Sequence, residues 1–479
     1  MNTSPYRIRQ NLTQTVIGRP LLDRIENSHD PDDLCDVIID PNLDFAGGRE
    51  QAIERITELM RQPGSSAHIR FDSAHPYVFA TLTVEAIRQV VAEDSPQSHG
   101  ESAPASGKQR LNSGSRAIHR IWEDTQVEAL LTNSVATVKA DAAHAAFAAN
   151  GKDIVWAVID SGIDLRHEHF HEYCNLVLPP PIEHRDFTAA GNSPLTDQFG
   201  HGTHVAGIIA GMMDRSKSPQ AILHTQDETV IQPLDRTIRG IAPECRLLSL
   251  KVLDANGRGK SSAVIEAIAA VQKLNDFGRR IMIHGVNLSL GYPFMAEWFA
   301  CGQSPLCTEV NRLVKSGVVA VVAAGNSGYG SIGALSGSIT AAGLPLTIND
   351  PGNAENAITV GSTHRDMPHT YGVSYFSSKG PTGDGRMKPD LVAPGERILS
   401  CAAGKNAGEG AQYVEDSGTS MAAPHVSGAI AAFLSIRREY IAQPEEVKQI
   451  FMRNATDLKR DRAFQGSGLL DLMRAIQSV

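Results

Sequence analysis

Five apolar runs recur in the second part of the chain: Ile154–Ile159, Arg246–Leu253, Met282–Leu290, Val318–Ala324 and Ala357–Gly361. Helical patterns separate several of them, notably Ser262–Leu274 and Glu309–Lys315. A strand that is apolar along its whole length must be covered on both faces, and a helical crossover between two such strands makes them parallel. The pattern therefore predicts an α/β fold, a parallel sheet with helices on both faces. In such sheets chemistry gathers at the carboxyl ends of strands and the amino ends of the helices that follow.

Before residue 130 the rhythm is different, short and alternating. Asp36–Ile39 reads as a strand, and Arg49–Met60 as a helix with Ile53, Ile56 and Leu59 at helical spacing. Ala67–Phe71 and Tyr77–Leu82 read as strands around a Ser73–Pro76 turn. Thr83–Val91 is a second helix, opened by a threonine with Glu85 in its first turn, and Ala117–Trp122 supplies a fourth strand. The order β-α-β-β-α-β is that of a small, split ferredoxin-like α/β unit. Asp94–Ser115 is rich in Ser, Gly, Pro and Gln and reads as a flexible loop. The expected division is 1–130 and 131–479.

A length of 479 residues supports two or three domains, and 42% apolar with 20% charged residues excludes wholesale disorder. The net charge of -9 argues against a general nucleic-acid binder. No apolar run approaches the roughly 18 residues of a membrane span, so no membrane partner is expected. Arg7 and Arg9 have no apolar stretch behind them, so no secretory signal is visible and the cytoplasm is the expected location, with export left open. Six cysteines show no C-x-x-C spacing. Cys301 and Cys307 are close enough for a local disulfide, although two free thiols in a reducing compartment is the favoured reading.

Three segments place polar residues where the sheet argument directs attention. Asp160 ends a buried strand in Val158–Asp164, His201 opens an apolar helix in Gly200–Gly207, and Ser420 stands among small residues at a helix mouth in Ser417–His425. Pro424 is read there as a first-turn proline, tolerated because first-turn amides have no intrahelical partner. Singly, each polar residue also fits an ordinary role as turn residue, helix start or cap. Together with Arg239–Pro243, Leu250–Leu253, Phe376–Pro381, Lys388–Gly395 and Gly466–Asp471, they make the chain from about Ser134 onward resemble the subtilisin-like serine proteases. The order Asp, His, Ser is that of subtilisin.

The resemblance implies a serine endopeptidase acting through an acyl-enzyme. Ser420 would be the nucleophile, His201 its base, and Asp160 the group that orients the imidazole. Asn326, after Ala323-Ala324-Gly325, matches the family's oxyanion asparagine, with the Ser420 amide as second donor. Polypeptide substrates would bind along Ser289-Leu290-Gly291 and Gly257-Arg258-Gly259, with Ala323, Ala324 and Gly325 beneath. Arg258 and Lys260 raise the idea of an acidic substrate residue before the cut, a solvated surface pair being the favoured reading.

His204 follows the family pattern one turn beyond His201 and receives no role. His169 stands where relatives supply a calcium-binding aspartate, which implies that the high-affinity calcium site is absent. No cofactor is required and no metal ligand is assigned, while weaker calcium sites elsewhere stay open. Met213–Thr237, Tyr292–Ser304 and Ser327–Asn353 are insertions relative to the family, the first reading as polar. The amino-terminal unit resembles the family's propeptides, with His119–Asp124 as their last strand and Val135–Asn150 as the mature start. The chain is then a self-processing precursor whose own amino-terminal domain is an intramolecular inhibitor, cut within Val127–Asn133. The alternatives are an independent peptide-binding adaptor for that domain and, for the whole chain, an inactive homologue that binds peptides without cutting.

Overall fold

The computed structural model describes residues 16–28, 30–61, 68–71, 77–94, 116–123, 133–188, 191, 193–224, 229–297, 299–333, 339–408 and 410–479. The chain divides into two compact units, Met1–Ala129 and Leu130–Val479.

The first unit contains α1 (Arg19–Asn27), β1 (Leu34–Pro41), α2 (Gly48–Met60), β2 (His68–Phe71), β3 (Val78–Thr83), α3 (Val84–Glu93) and β4 (Ile118–Glu123). Its sheet runs β2-β3-β1-β4 and is antiparallel at every pairing, the layout a split β-α-β order produces. Along β1, Cys35, Val37 and Ile39 alternate into a core with Ile53 and Ile56 of α2 and Ile87 of α3. Thr83 caps α3, its hydroxyl accepting the Ala86 amide at 3.1 Å. Two features differ from expectation. Helix α1 was not foreseen, yet Leu21, Leu22 and Ile25 belong to the core. Asp94, expected to open a solvated loop, is buried and accepts the Ala117 and Ile118 amides at 3.0 and 2.9 Å, which anchors the start of β4. The rest of that expected loop and the Ser73–Pro76 turn lie outside the described residues.

The second unit is built on a seven-stranded sheet. Its principal strands are β5 (Val155–Asp160), β6 (Arg246–Lys251), β7 (Gly285–Leu288), β8 (Val319–Ala323), β9 (Ile358–His364) and β10 (Leu391–Glu396). The order is β10-β9-β8-β7-β5-β6 with the short Arg185–Asp186 at the edge, and every pairing is parallel. Strand β5 is buried at all positions, as a sheet covered on both faces requires. One face carries α4 (His201–Ile209) and α7 (Thr419–Ile436), and the other carries α5 (Ser261–Leu274) and α6 (Pro305–Lys315). From β5 the chain moves to β6 on one side and later returns to β7 on the other. The strand order therefore reverses between β5 and β7, where a parallel sheet opens its ligand crevice.

Strand β7 is shorter than the run Met282–Leu290 suggested. Asn275 accounts for its start, accepting the Met282 and Ile283 amides at 2.9 Å each and donating to the Ile283 carbonyl at 2.7 Å, which removes those groups from the ladder. Within the insertion Met213–Thr237, strands Gln220–His224 and Thr229–Pro233 pair antiparallel, and the first also pairs with Tyr413–Asp416. Its buried Ile222 and Leu223 show that this segment is not simply polar surface. Helix α7, contrary to the expectation that no run is long enough, is by length and composition apolar enough to cross a membrane; 83% of it is buried in the core.

Candidate active site

At the end of β5, Asp160 is fully buried, and its Oδ1 accepts the Ser161 amide at 2.7 Å and His201 Nδ1–H at 2.8 Å. Since Nδ1 donates to the carboxylate, Nε2 is the imidazole's free acceptor. Close approach of α4 to the β5 loop makes this contact: Gly202 has no side chain, and a Cβ there would stand 2.3 Å from the Gly162 carbonyl oxygen. The Gly202 amide donates to Ser161 Oγ at 2.9 Å. Asp197 closes the amino end of α4, accepting the Gly200 and Thr203 amides, each at 2.8 Å.

Burial alone would depress the His201 pKa. The Asp160 carboxylate and its hydrogen bond, with Asp416 and Asp197 further off, reverse the balance and raise it to about 9. His204, one turn along, is buried against the Val414 carbonyl at 3.1 Å, and burial lowers it to about 4.

Ser420 stands in the first turn of α7. Its hydroxyl donates to the Ser289 carbonyl at 3.1 Å, and no hydrogen bond joins it to His201 among the described residues. The Ser289 hydroxyl donates back to the Ser420 carbonyl at 2.8 Å. That carbonyl is available because Pro424, four residues on, has no N–H to offer it. Pro424 is thus a second-turn residue, not the first-turn proline expected, and its missing hydrogen bond is supplied by Ser289, just past the end of β7. The link continues inward: Asn287 Nδ2 donates to Ser289 Oγ at 2.9 Å, and Ser427 Oγ donates to Asn287 Oδ1 at 2.8 Å.

Asn326 follows β8 after Gly325, which has a φ of 104° and no room for a Cβ, Asn349 Cγ being 2.6 Å from such an atom. Asn326 Oδ1 accepts the Thr419 amide at 2.9 Å and the Thr419 hydroxyl at 3.0 Å. With the oxygen held, the Nδ2 donors remain for a ligand.

These groups share one cleft of about 1170 Å³, lined by His201, Ser420, Asn326, Ala323, Gly325, Ser289, Leu290, Gly291, Gly257, Arg258 and Gly259. Of the expected residues, Asp160 stands behind His201 and not on the lining, and Ala324 is the other exception. It is buried beneath the cleft, its amide on the Val360 carbonyl and its carbonyl on the Asn349 amide, both at 2.9 Å. Lys260 also lines the cleft, and Tyr292, Leu306 and Asn349 join the lining from, or beside, the insertions.

A profile of the subtilase family matches residues 151–469. The chain belongs to the subtilase family. Among its relatives, the serine protease AprX of Bacillus subtilis is 30% identical over 361 residues, covering 72% of this chain and 70% of AprX. Subtilisin E of the same organism is 29% identical over 347 residues, with coverage of 72% and 70%. Pyrolysin of Pyrococcus furiosus is 30% identical over 328 residues, which is 58% of this chain and 21% of pyrolysin. A crystal structure of a cold adapted subtilisin-like serine proteinase is similar at a TM-score of 0.47 and 26% identity, covering 67% of this chain and 89% of that one. As a subtilase, the protein is a serine endopeptidase.

In this subtilase three positioning groups escaped the sequence reading. Lys251, in a motif that was noted but given no role, is buried and donates to the Ser161 carbonyl, to the Thr196 carbonyl at 3.1 Å and to Gln198 Oε1 at 3.2 Å. It ties the loop after β5 to the loop before α4. Asp197 and Thr419 are the others, and all three act through partners distant in sequence or through backbone groups.

A calcium ion at His169 does not fit. Its Nε2–H donates to the Ala210 carbonyl at 3.1 Å and its Nδ1 accepts the Tyr413 hydroxyl at 2.8 Å, so both nitrogens are engaged. Burial drives this imidazole down to about 3, and the ring packs against Phe170, His167 and Tyr413. A hard cation needs several oxygen ligands, which this aromatic setting lacks. Among the described residues no group of three His, Cys, Asp or Glu side chains is arranged to hold a metal ion. Cys301 and Cys307 are both free thiols.

Proposed function

We propose that this endopeptidase cuts peptide bonds with Ser420 as nucleophile, His201 as general base and acid, Asp160 as the orienting carboxylate, and Asn326 with the Ser420 amide as oxyanion donors. The observation that carries this reading is the convergence of the Asp160–His201 hydrogen bond, the Ser420 hydroxyl and the Asn326 amide on one cleft. In the reaction the Ser420 hydroxyl leaves the Ser289 carbonyl and turns to His201 Nε2. His201 takes the proton as Oγ attacks, and negative charge on the carbonyl oxygen falls to Asn326 Nδ2 and the Ser420 amide at the positive end of α7. The imidazolium, stabilised by Asp160, then protonates the leaving amine, and water repeats the sequence on the acyl-enzyme.

A base must be neutral to accept a proton. With the His201 pKa raised to about 9, the imidazolium persists above neutrality, so kcat/KM rises with pH through the alkaline range. The midpoint of that limb in a kcat/KM–pH profile is expected well above 7. Asp160→Asn moves it downward, because the largest opposing charge is gone; a midpoint near 6.5 in the wild type contradicts this reading.

We further propose that the amino-terminal unit is a propeptide, released by self-cleavage and retained as an inhibitor. Its sheet topology supports the reading, as does a cross-strand row of Phe79, Ile38 and Trp122 on the face opposite the buried Val37, Ile39 and Ala80. Of the expected junction Val127–Asn133, residues 127–132 lie outside the described residues. Tethering gives that segment a high effective concentration, so cleavage within one molecule outpaces cleavage between molecules. Incubating purified protein and sequencing the new amino terminus tests the proposal. A terminus between Ala129 and Val135, absent in Ser420→Ala, is expected. Full activity with residues 1–130 still covalently attached overturns it.

A further inference from the structure

We infer that the cleft selects substrates with an acidic side chain on the acyl side of the cut, two to four residues before it, and that Arg258 and Lys260 read that carboxylate. The inference rests on the assignment of Ser420 and its cleft above, and goes beyond it to the substrate's chemistry. The sequence alone favoured a solvated surface pair; the surroundings of the two residues favour recognition.

Among the described residues lining the cleft, the side chains that can carry a charge near neutral pH are His201, Arg258 and Lys260, and no carboxylate is among them. Arg258 and Lys260 are exposed, and neither is in an ion pair among the described residues. The one acid on their loop, Asp254, accepts the Asn256 and Arg258 amides at 2.8 and 3.0 Å and feels the charges of Arg258 and Lys405, but it forms no ion pair with either among the described residues and lies outside the cleft lining. Asp416 and Asp197, whose charges act on His201, are not lining residues either. Lys405 adds a third cation to the same loop, donating to Asn256 Oδ1 at 3.2 Å.

A second observation has the same sign. The 14-residue helix α5 begins at Ser261 beside the cleft, its N-cap Lys260 makes no side-chain cap bond, and its first turn holds no acidic residue. The positive end of the helix dipole is therefore left for an external carboxylate. The backbone beneath is fixed, since a Cβ at Gly259 would stand 2.2 Å from the Val252 carbonyl oxygen. The cations are thus carried on a tightly packed segment, close to where an extended substrate runs.

The test uses quenched fluorescent peptides differing at one site, with Glu, Gln or Lys at the second, third or fourth residue before the cut. The readout is the Glu/Gln ratio of kcat/KM within each enzyme preparation, normalised to Ser420 labelled by a fluorophosphonate. At one of these positions Glu is expected to exceed Gln by about twofold to tenfold, the scale of one or two exposed charge pairs. The advantage should shrink as salt is raised, because such pairs are screened. Arg258→Gln with Lys260→Gln should bring the ratio to about one, and Arg258→Glu with Lys260→Glu should make Lys the better residue. Equal cleavage of Glu and Gln peptides at all three positions by an enzyme that labels at Ser420 overturns the inference and leaves the catalytic assignment standing. Failure of any peptide to be cut, with no label on Ser420, overturns both.

Discussion

Ser420→Ala is expected to abolish peptide hydrolysis, lowering kcat by about a millionfold, the scale measured in subtilisin itself. The fold should survive. The hydroxyl is only partly buried and makes one hydrogen bond, to the Ser289 carbonyl, so its removal costs about 1 kcal/mol or less of stability. The Ser289–Ser420 link outlasts the change, because its other half uses the Ser420 backbone carbonyl. His201→Ala should cost nearly as much activity, and the double substitution should cost little more, since nucleophile and base act as a unit. Thermal unfolding of each variant separates lost chemistry from lost structure.

Asn326→Ala carries the next largest effect. Its Nδ2 donors face a charge that exists only once the carbonyl is attacked, so the loss should fall on kcat with KM nearly unchanged. Removing one such donor costs about 100- to 1,000-fold, a magnitude established in subtilisin. The side chain has a second task, since its Oδ1 holds the Thr419 amide and hydroxyl beside the nucleophile. Steady-state kinetics of Asn326→Ala should therefore show the kcat loss with a modest drop in thermal stability. A loss confined to KM would remove Asn326 from the oxyanion site.

Much of this site was legible because its chemistry is written in contiguous segments. Asp160, His201, Ser420 and Asn326 each stand at a strand end or helix start that the apolar runs locate. What was hidden depends on distance along the chain. Lys251 matters through Ser161, ninety residues away, and nothing local to Leu250–Leu253 indicates it. Thr419 reads as one of several small residues until Asn326 is seen to lean on it. Pro424 was misplaced by a turn because the Ser289 hydroxyl that replaces its hydrogen bond comes from another element.

The fold divides in the same way. Strands β5 to β9 were read from continuous apolar runs, whereas β10 was noted only as the motif Lys388–Gly395 and not as a strand. The hairpin Tyr329–Gly333 with Ile339–Gly343 went unseen because its composition, rich in Gly, Ser and Ala, gives no alternating apolar signal. Helix α1 went unread although Leu21, Leu22 and Ile25 lie at helical spacing behind Pro20, a signal that a nine-residue segment carries only once.

The central claim is that Ser420 is a nucleophile activated by His201. Treating the purified protein with a fluorophosphonate and locating the adduct by peptide mass spectrometry tests it most directly. The account predicts one covalent phosphonyl group on the peptide containing Ser420, absent in Ser420→Ala and formed far more slowly in His201→Ala. An adduct on another residue, or labelling of Ser420 at an undiminished rate without His201, would contradict it.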